Sequence, residues 1–85
     1  MHPHAVRKHL GYYEGGYRLV VEHGEVRIRF ESRVLPLRAT EDGGYVISNG
    51  VIVGNPVKLD HDADGVARME IVGVDTVRRT VGLAP

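Results

Sequence analysis

The dipeptide Asn49-Gly50 stands between two β-branched runs, Gly44-Tyr45-Val46-Ile47-Ser48 and Val51-Ile52-Val53-Gly54. Asn-Gly in that setting is the strongest short-range hairpin signal, because both central residues of a type I′ turn need φ > 0. A two-residue loop there sets Ser48 against Val51, Ile47 against Ile52, Val46 against Val53 and Tyr45 against Gly54. Cross-strand partners point to one side, so Tyr45, Ile47 and Ile52 share one face and Val46, Val51 and Val53 share the other. A ribbon with a wet face alternates apolar and polar residues; this one is apolar on both. The expectation is a hairpin buried between two layers.

A chain of 85 residues makes one domain and buries only about 60–65% of its unfolded surface. A core of that size covers one face of the ribbon. For the second face the chain offers Val6 and Leu10, on a short helical turn predicted over residues 4–10 with Gly11 as its stop. That is little area. Tyr45, Val46, Ile47, Val51, Ile52 and Val53 are therefore predicted to lie at a subunit interface, isologous in a dimer.

A second hairpin is legible over residues 17–30. With His23-Gly24 as its loop, Tyr17 faces Phe30, Leu19 faces Ile28 and Val21 faces Val26, all on one side. The other side carries Arg18 against Arg29, Val20 against Arg27 and Glu22 against Glu25. A one-residue slip would mix the two sets, so the pattern fixes the register. Val34 to Ala39 reads as a strand with Leu35, Leu37 and Ala39 inward, and Pro36 makes it an edge or an interrupted strand. Val57-Lys58-Leu59 follows Pro56 as another. Val66 to Val72 alternates with Ala67, Met69 and Ile71 inward, and a last strand runs from Thr76 to Leu83 with Val77, Val81, Leu83 and Arg79 on its inner side. Six or seven short strands with glycine-bearing turns predict an all-β barrel or sandwich over residues 17–85, preceded by an arm over residues 1–16.

Formal charge sums to zero, with a balance of +3 over residues 1–40 (seven Lys and Arg, four acidic) and −3 over residues 41–85 (four and seven). A neutral total argues against a general nucleic-acid coat, and the asymmetry leaves room for a local basic face. Arg18, Arg27 and Arg29, extended by Arg38, form such a stripe, with Tyr12 or Tyr13 placed to stack a base. Cations beside aromatics on a sheet face are how OB-like and cold-shock barrels hold single strands. Those modules carry the aromatics on the binding strands, whereas Tyr17 and Phe30 fall on the opposite, core-facing side. Nucleic-acid binding is the alternative to self-assembly.

The chain has no cysteine, which excludes disulfides, thiolate metal sites and cysteine nucleophiles. Its serines are Ser32 and Ser48, neither in a nucleophile elbow, and no glycine-rich loop precedes a helix. Asp60, His61 and Asp62 are adjacent, so an extended backbone points His61 away from both carboxylates. A small ribonuclease-like enzyme using His and Arg is the last alternative, and no cofactor is expected. The histidines at positions 2, 4, 9, 23 and 61 read as solvated. With no run of eighteen apolar residues and no apolar leader at the start, neither membrane span nor export signal is expected, and the default location is the cytoplasm.

Asp60-x-Asp62-x-Asp64-Gly65 resembles the start of a calcium loop of the EF-hand or dockerin kind. The resemblance covers six residues and implies an ion held by Asp60, Asp62 and Asp64. The twelfth position, where that loop has a bidentate glutamate, is Ile71, and the ninth is Arg68. Three aspartates are also what an exposed Asx-type turn selects.

Overall fold

The computed structural model describes residues 6–80. It is all-β: eight antiparallel strands run in sequence order as one meander that curls into a half-barrel. They are β1 (Gly11–Tyr12), β2 (Tyr17–Glu22), β3 (Glu25–Phe30), β4 (Arg33–Ala39), β5 (Tyr45–Ile47), β6 (Pro56–His61), β7 (Ala67–Ile71) and β8 (Asp75–Arg78). A 3-10 turn, Glu14–Gly16, links β1 to β2. The strand β1 falls within the stretch read from sequence as an arm. Residues 6–9 form one helical turn, closed by the His9 N–H on the Val6 carbonyl at 2.9 Å.

The β2–β3 hairpin has the register its pattern dictates, from Tyr17 opposite Phe30 to Glu22 opposite Glu25. Its loop residues His23 and Gly24 both have positive φ, 54° and 76°, as a two-residue primed turn requires. Tyr17, Leu19 and Ile28 are buried, while Val21 is exposed and Val26 half-buried, because the hairpin tip overhangs the core.

The strand β4 joins two halves of the sheet. Residues 33–36 pair with β3, and residues 37–39 pair with β5. Pro36 sits at the switch, where its carbonyl accepts the Ser48 N–H at 2.9 Å. It therefore lies inside the sheet rather than on an edge strand. Beyond it β3 and β4 diverge, and Ala39, expected inward, is exposed at the resulting cleft.

The hairpin expected at Asn49-Gly50 does not form. The strand β5 stops at Ile47, and residues 51–54 are turn, not strand. Tyr45 pairs with Val57 and Val46 with Pro56 instead. Gly50 has positive φ, 106°, but Asn49 does not; its side-chain carbonyl accepts the Gly50 N–H at 2.9 Å. One positive φ cannot make a type I′ turn. The loop closes further out, where Ile47 receives from Gly54 at 2.8 Å and donates to Asn55 at 2.9 Å. Pairing from Pro56 onward places Val57 opposite Ile71 and Leu59 opposite Met69, and Val57, Met69 and Ile71 are all fully buried. A continuous row of buried partners outweighs a local turn preference.

The core lies inside the curl. Leu19, Ile28, Ile47, Val57, Met69 and Ile71 are its largest fully enclosed strand residues, and Val6 of the N-terminal turn joins them. The two ends of the meander meet: Tyr13 and Arg79 form an antiparallel bridge, and the Thr80 N–H donates to the Tyr12 carbonyl at 2.8 Å. Val81 and Leu83 of the expected last strand lie outside the described residues.

Candidate functional site

The most apolar concavity lies where the Ser48–Asn55 loop, the start of β4 and the β7–β8 turn come together. It encloses about 440 Å³. Tyr17 and Phe30 form part of its wall, stacked with ring centroids 4.5 Å apart and planes 21° apart. Val34, Leu35, Val51, Ile52 and Val74 contribute aliphatic surface, and Arg33 is the one charged residue of the lining. Its volume falls in the usual range for ligand and partner clefts.

The loop beside this groove is held firmly at its base and presents apolar side chains at its tip. Ser48 donates through both N–H and Oγ to the Pro36 carbonyl, at 2.9 and 3.1 Å. Asn55 Nδ2 donates to the Val72 carbonyl at 2.8 Å, tying the loop to the β7–β8 turn. Between those anchors Val51 is 94% exposed and Val53 58%, with Val74 at 51% across the groove. These apolar side chains are thus gathered around one apolar cleft, whereas singly exposed ones are commonplace.

The six residues expected at an interface are thus divided. Tyr45 and Ile47 belong to the chain's own core, and Ile52 packs against it. Val46 is half-buried on the outer side with its register partners Arg38 and Pro56. Only Val51 and Val53 stand free. The apolar pattern that reads as two buried faces is one buried face, Tyr45 and Ile47, followed by a projecting loop.

The arginine stripe is assembled on the outer face, where two of its four members, Arg27 and Arg29, are paired with acidic side chains. Arg29 makes a two-pronged contact with Glu22, its nearest approach 2.9 Å, and Arg27 lies 2.7 Å from Glu25 and 3.6 Å from Glu22. The Glu22 carboxyl is held below its ordinary value, chiefly by the Arg29 hydrogen bond. Arg18 lies over the Tyr12 ring, 5.0 Å from its centroid. Tyr13 cannot stack a base: it is 2% exposed and its hydroxyl donates to the His9 carbonyl.

Each aspartate of the acidic loop has a structural partner. Asp60 receives two hydrogen bonds from Arg68, at 2.9 and 2.7 Å. Asp62 Oδ1 accepts the Asp64 and Val66 N–H groups at 2.9 and 3.0 Å, an Asx-type turn, while its Oδ2 is 2.7 Å from Arg78. Asp64 is 3.9 Å from the same guanidinium. Among the described residues no group of three or more His, Asp or Glu side chains is placed to hold a metal ion. The aspartates shape a turn and pair β6 to β7 and β8.

Sequence reasoning missed His9. It is 6% exposed, not solvated, and its ring centroid is 4.8 Å from that of His61 at the end of β6. Its Nδ1 is buried without a hydrogen-bond partner among the described residues. Burial holds its pKa below the ordinary imidazole value; His61, Lys8 and Arg79 push the same way, and Asp60 opposes them. An apolar face that Val6 shares with Leu10, three and one residues from His9, was the available signal.

Among the described residues no helix is long and apolar enough to cross a membrane. Comparison with family models, curated proteins and solved structures gives no match for this chain.

Proposed function

We propose that this domain is a non-enzymatic binding and assembly module whose partner is a second copy of the chain, engaged through the apolar groove and its valine-bearing loop. The observation that supports this reading is the pairing of knob and hole on one surface: Val51, 94% exposed, projects beside a groove of about 440 Å³ with Tyr17 and Phe30 in its wall. A twofold axis would place the Val51 tip of each copy in the groove of the other, which is the self-complementarity an isologous interface needs. A single charged side chain in the lining leaves little like-charge repulsion between copies, and the chain as a whole has no net charge. The arginine face supports the nucleic-acid alternative less well, since Arg27 and Arg29 are already matched by Glu22 and Glu25.

The test is solution mass by light scattering over a concentration series, for the parent and for Val51→Asp and Val74→Asp. The parent is expected to move toward a dimer with concentration. Both variants should stay folded and monomeric, because neither side chain is part of the core. A parent that remains monomeric at the highest soluble concentration would sink the proposal, as would variants that dimerise like the parent.

A further inference from the structure

The N-terminal turn and the groove lie at opposite ends of β7: Ala67 pairs with His61, while Ile71 lines the groove. The turn is fastened by four contacts. Val6 fills a core position, 1% exposed. Arg79 Nη1 donates to the Lys8 carbonyl at 2.7 Å and to the Leu10 carbonyl at 3.4 Å. The Tyr13 hydroxyl donates to the His9 carbonyl. Finally, the His9 ring packs on His61.

Three of these contacts are indifferent to mild acid; the fourth is not. His9 is enclosed with no acceptor for an Nδ1 proton among the described residues. The charged and titratable groups around it are His61 and Asp60 on β6, Lys8 on its own turn, and Arg79 and Tyr13 at the seam. The one carboxylate among them, Asp60, is engaged by Arg68 through both oxygens. A proton on His9 would therefore sit buried, unsolvated and next to two fixed cations, a condition that buried charges avoid by exposure. Detaching residues 6–10 gives it water at the loss of Val6, the partly buried Leu10 and a few hydrogen bonds. Opening the sheet would sacrifice the whole core.

We propose that the turn over residues 6–10 is an acid-released strap: protonation of His9 detaches it from the half-barrel and uncovers the core position that Val6 occupies. This inference is independent of the groove and of what the groove binds. The direction follows from linkage. With the attached His9 harder to protonate than the free one, attachment is strongest above the free imidazole value of about 6.5 and weakens as pH falls below it. Each unit between the attached and free values gives up to about tenfold in the attachment equilibrium.

Residue-resolved amide exchange tests it, in the parent and in His9→Phe, which keeps an aromatic ring and cannot be protonated. After correction for intrinsic rates, the His9 and Leu10 amides of the parent are expected to lose several-fold in protection, up to about tenfold, between pH 7.5 and 5.5, with those of Leu19 and Ile28 unchanged. His9→Phe should show no such loss. Unchanged protection in the parent would overturn the proposal, as would loss in step with Leu19 and Ile28 or an equal loss in His9→Phe. If His9→Phe does not fold, the His9 ring resonance of the parent decides the matter. It should titrate below the free value of about 6.5, within the pH range where protection is lost, and a ring that titrates at or above that value overturns the idea.

Discussion

Tyr13 and Arg79 are bridge partners across the seam where the meander's two ends meet, and the Arg79 guanidinium reaches back to the Lys8 and Leu10 carbonyls. One side chain just beyond the last strand thus reaches the N-terminal turn. The sequence pattern puts this arginine on the inner side of its strand, an odd position until the two carbonyls are seen. Arg79→Met keeps much of the stem but leaves both acceptors without their donor. Urea unfolding is expected to show a loss of about 1.5–3 kcal/mol, the range for hydrogen bonds to a charged group. A loss of less than about 0.5 kcal/mol would show that the seam does not depend on it.

The β2–β3 hairpin and the Ser48–Asn55 loop make opposite predictions for residues of similar chemistry. Ile28 is fully buried opposite Leu19, so Ile28→Ala is expected to cost about 2–4 kcal/mol. Val51 is nearly free of contacts within its own chain, so Val51→Ala should stay within about 0.5 kcal/mol in dilute solution. Equal losses in chemical denaturation would contradict the burial of one or the exposure of the other.

Asp62 is the residue on which the acidic loop turns. It accepts two backbone N–H groups and meets Arg78, and the Val66 N–H is the first cause of a carboxyl held below its ordinary value. A depressed acid stabilises the fold fully above the unfolded value, near 3.9, and loses that contribution as pH falls through the folded one. Asp62→Ala is therefore expected to lower Tm at neutral pH, with the gap to the parent closing below about pH 4. Asp64→Ala should leave Tm nearly unchanged. Millimolar calcium should not raise Tm in either case; a rise abolished by Asp62→Ala would restore the calcium-loop resemblance as function.

Much of the architecture is legible where pattern and turn chemistry agree. Over residues 17–30 the alternation and the His23-Gly24 turn specify the same register, and the structure has it. Over residues 44–54 they conflict. Asn49-Gly50 signals a tight hairpin, but Gly54 and Pro56 then leave no strand able to bury both valine faces, and pairing with Val57 wins. Local preference is worth about a kilocalorie per mole or less per residue, whereas each buried aliphatic side chain contributes about 1.5–3 kcal/mol. The groove was hidden for a different reason. It draws residues from β2, β3, β4, β7 and two separate turns, and no sequence spacing encodes how a curled sheet brings them together. His9 was hidden because burial of a single polar residue depends on the seam, which is itself long-range.

Tyr13 offers a test of that seam from the alkaline side. Its hydroxyl is enclosed and donates to the His9 carbonyl, and burial pushes its pKa up to about 12, against a smaller opposing pull from Arg79. The unfolded phenol ionises near 10. Below pH 10 both states keep the proton, and the contribution of the neutral hydroxyl is intact. Between 10 and about 12 only the unfolded state loses it, so stability falls with rising pH by up to about 1.4 kcal/mol per unit. Tyr13→Phe loses the hydrogen bond, at about 0.5–1.5 kcal/mol near neutrality, but is immune to the alkaline loss. Tyr17 and Tyr45, also raised by burial, are present in both proteins and cancel in the comparison. The two stability curves should therefore cross, with the parent more stable at pH 7 and Tyr13→Phe more stable by about pH 11.5. Parallel curves from urea titrations at the two pH values would mean that the Tyr13 hydroxyl is solvated and the seam open.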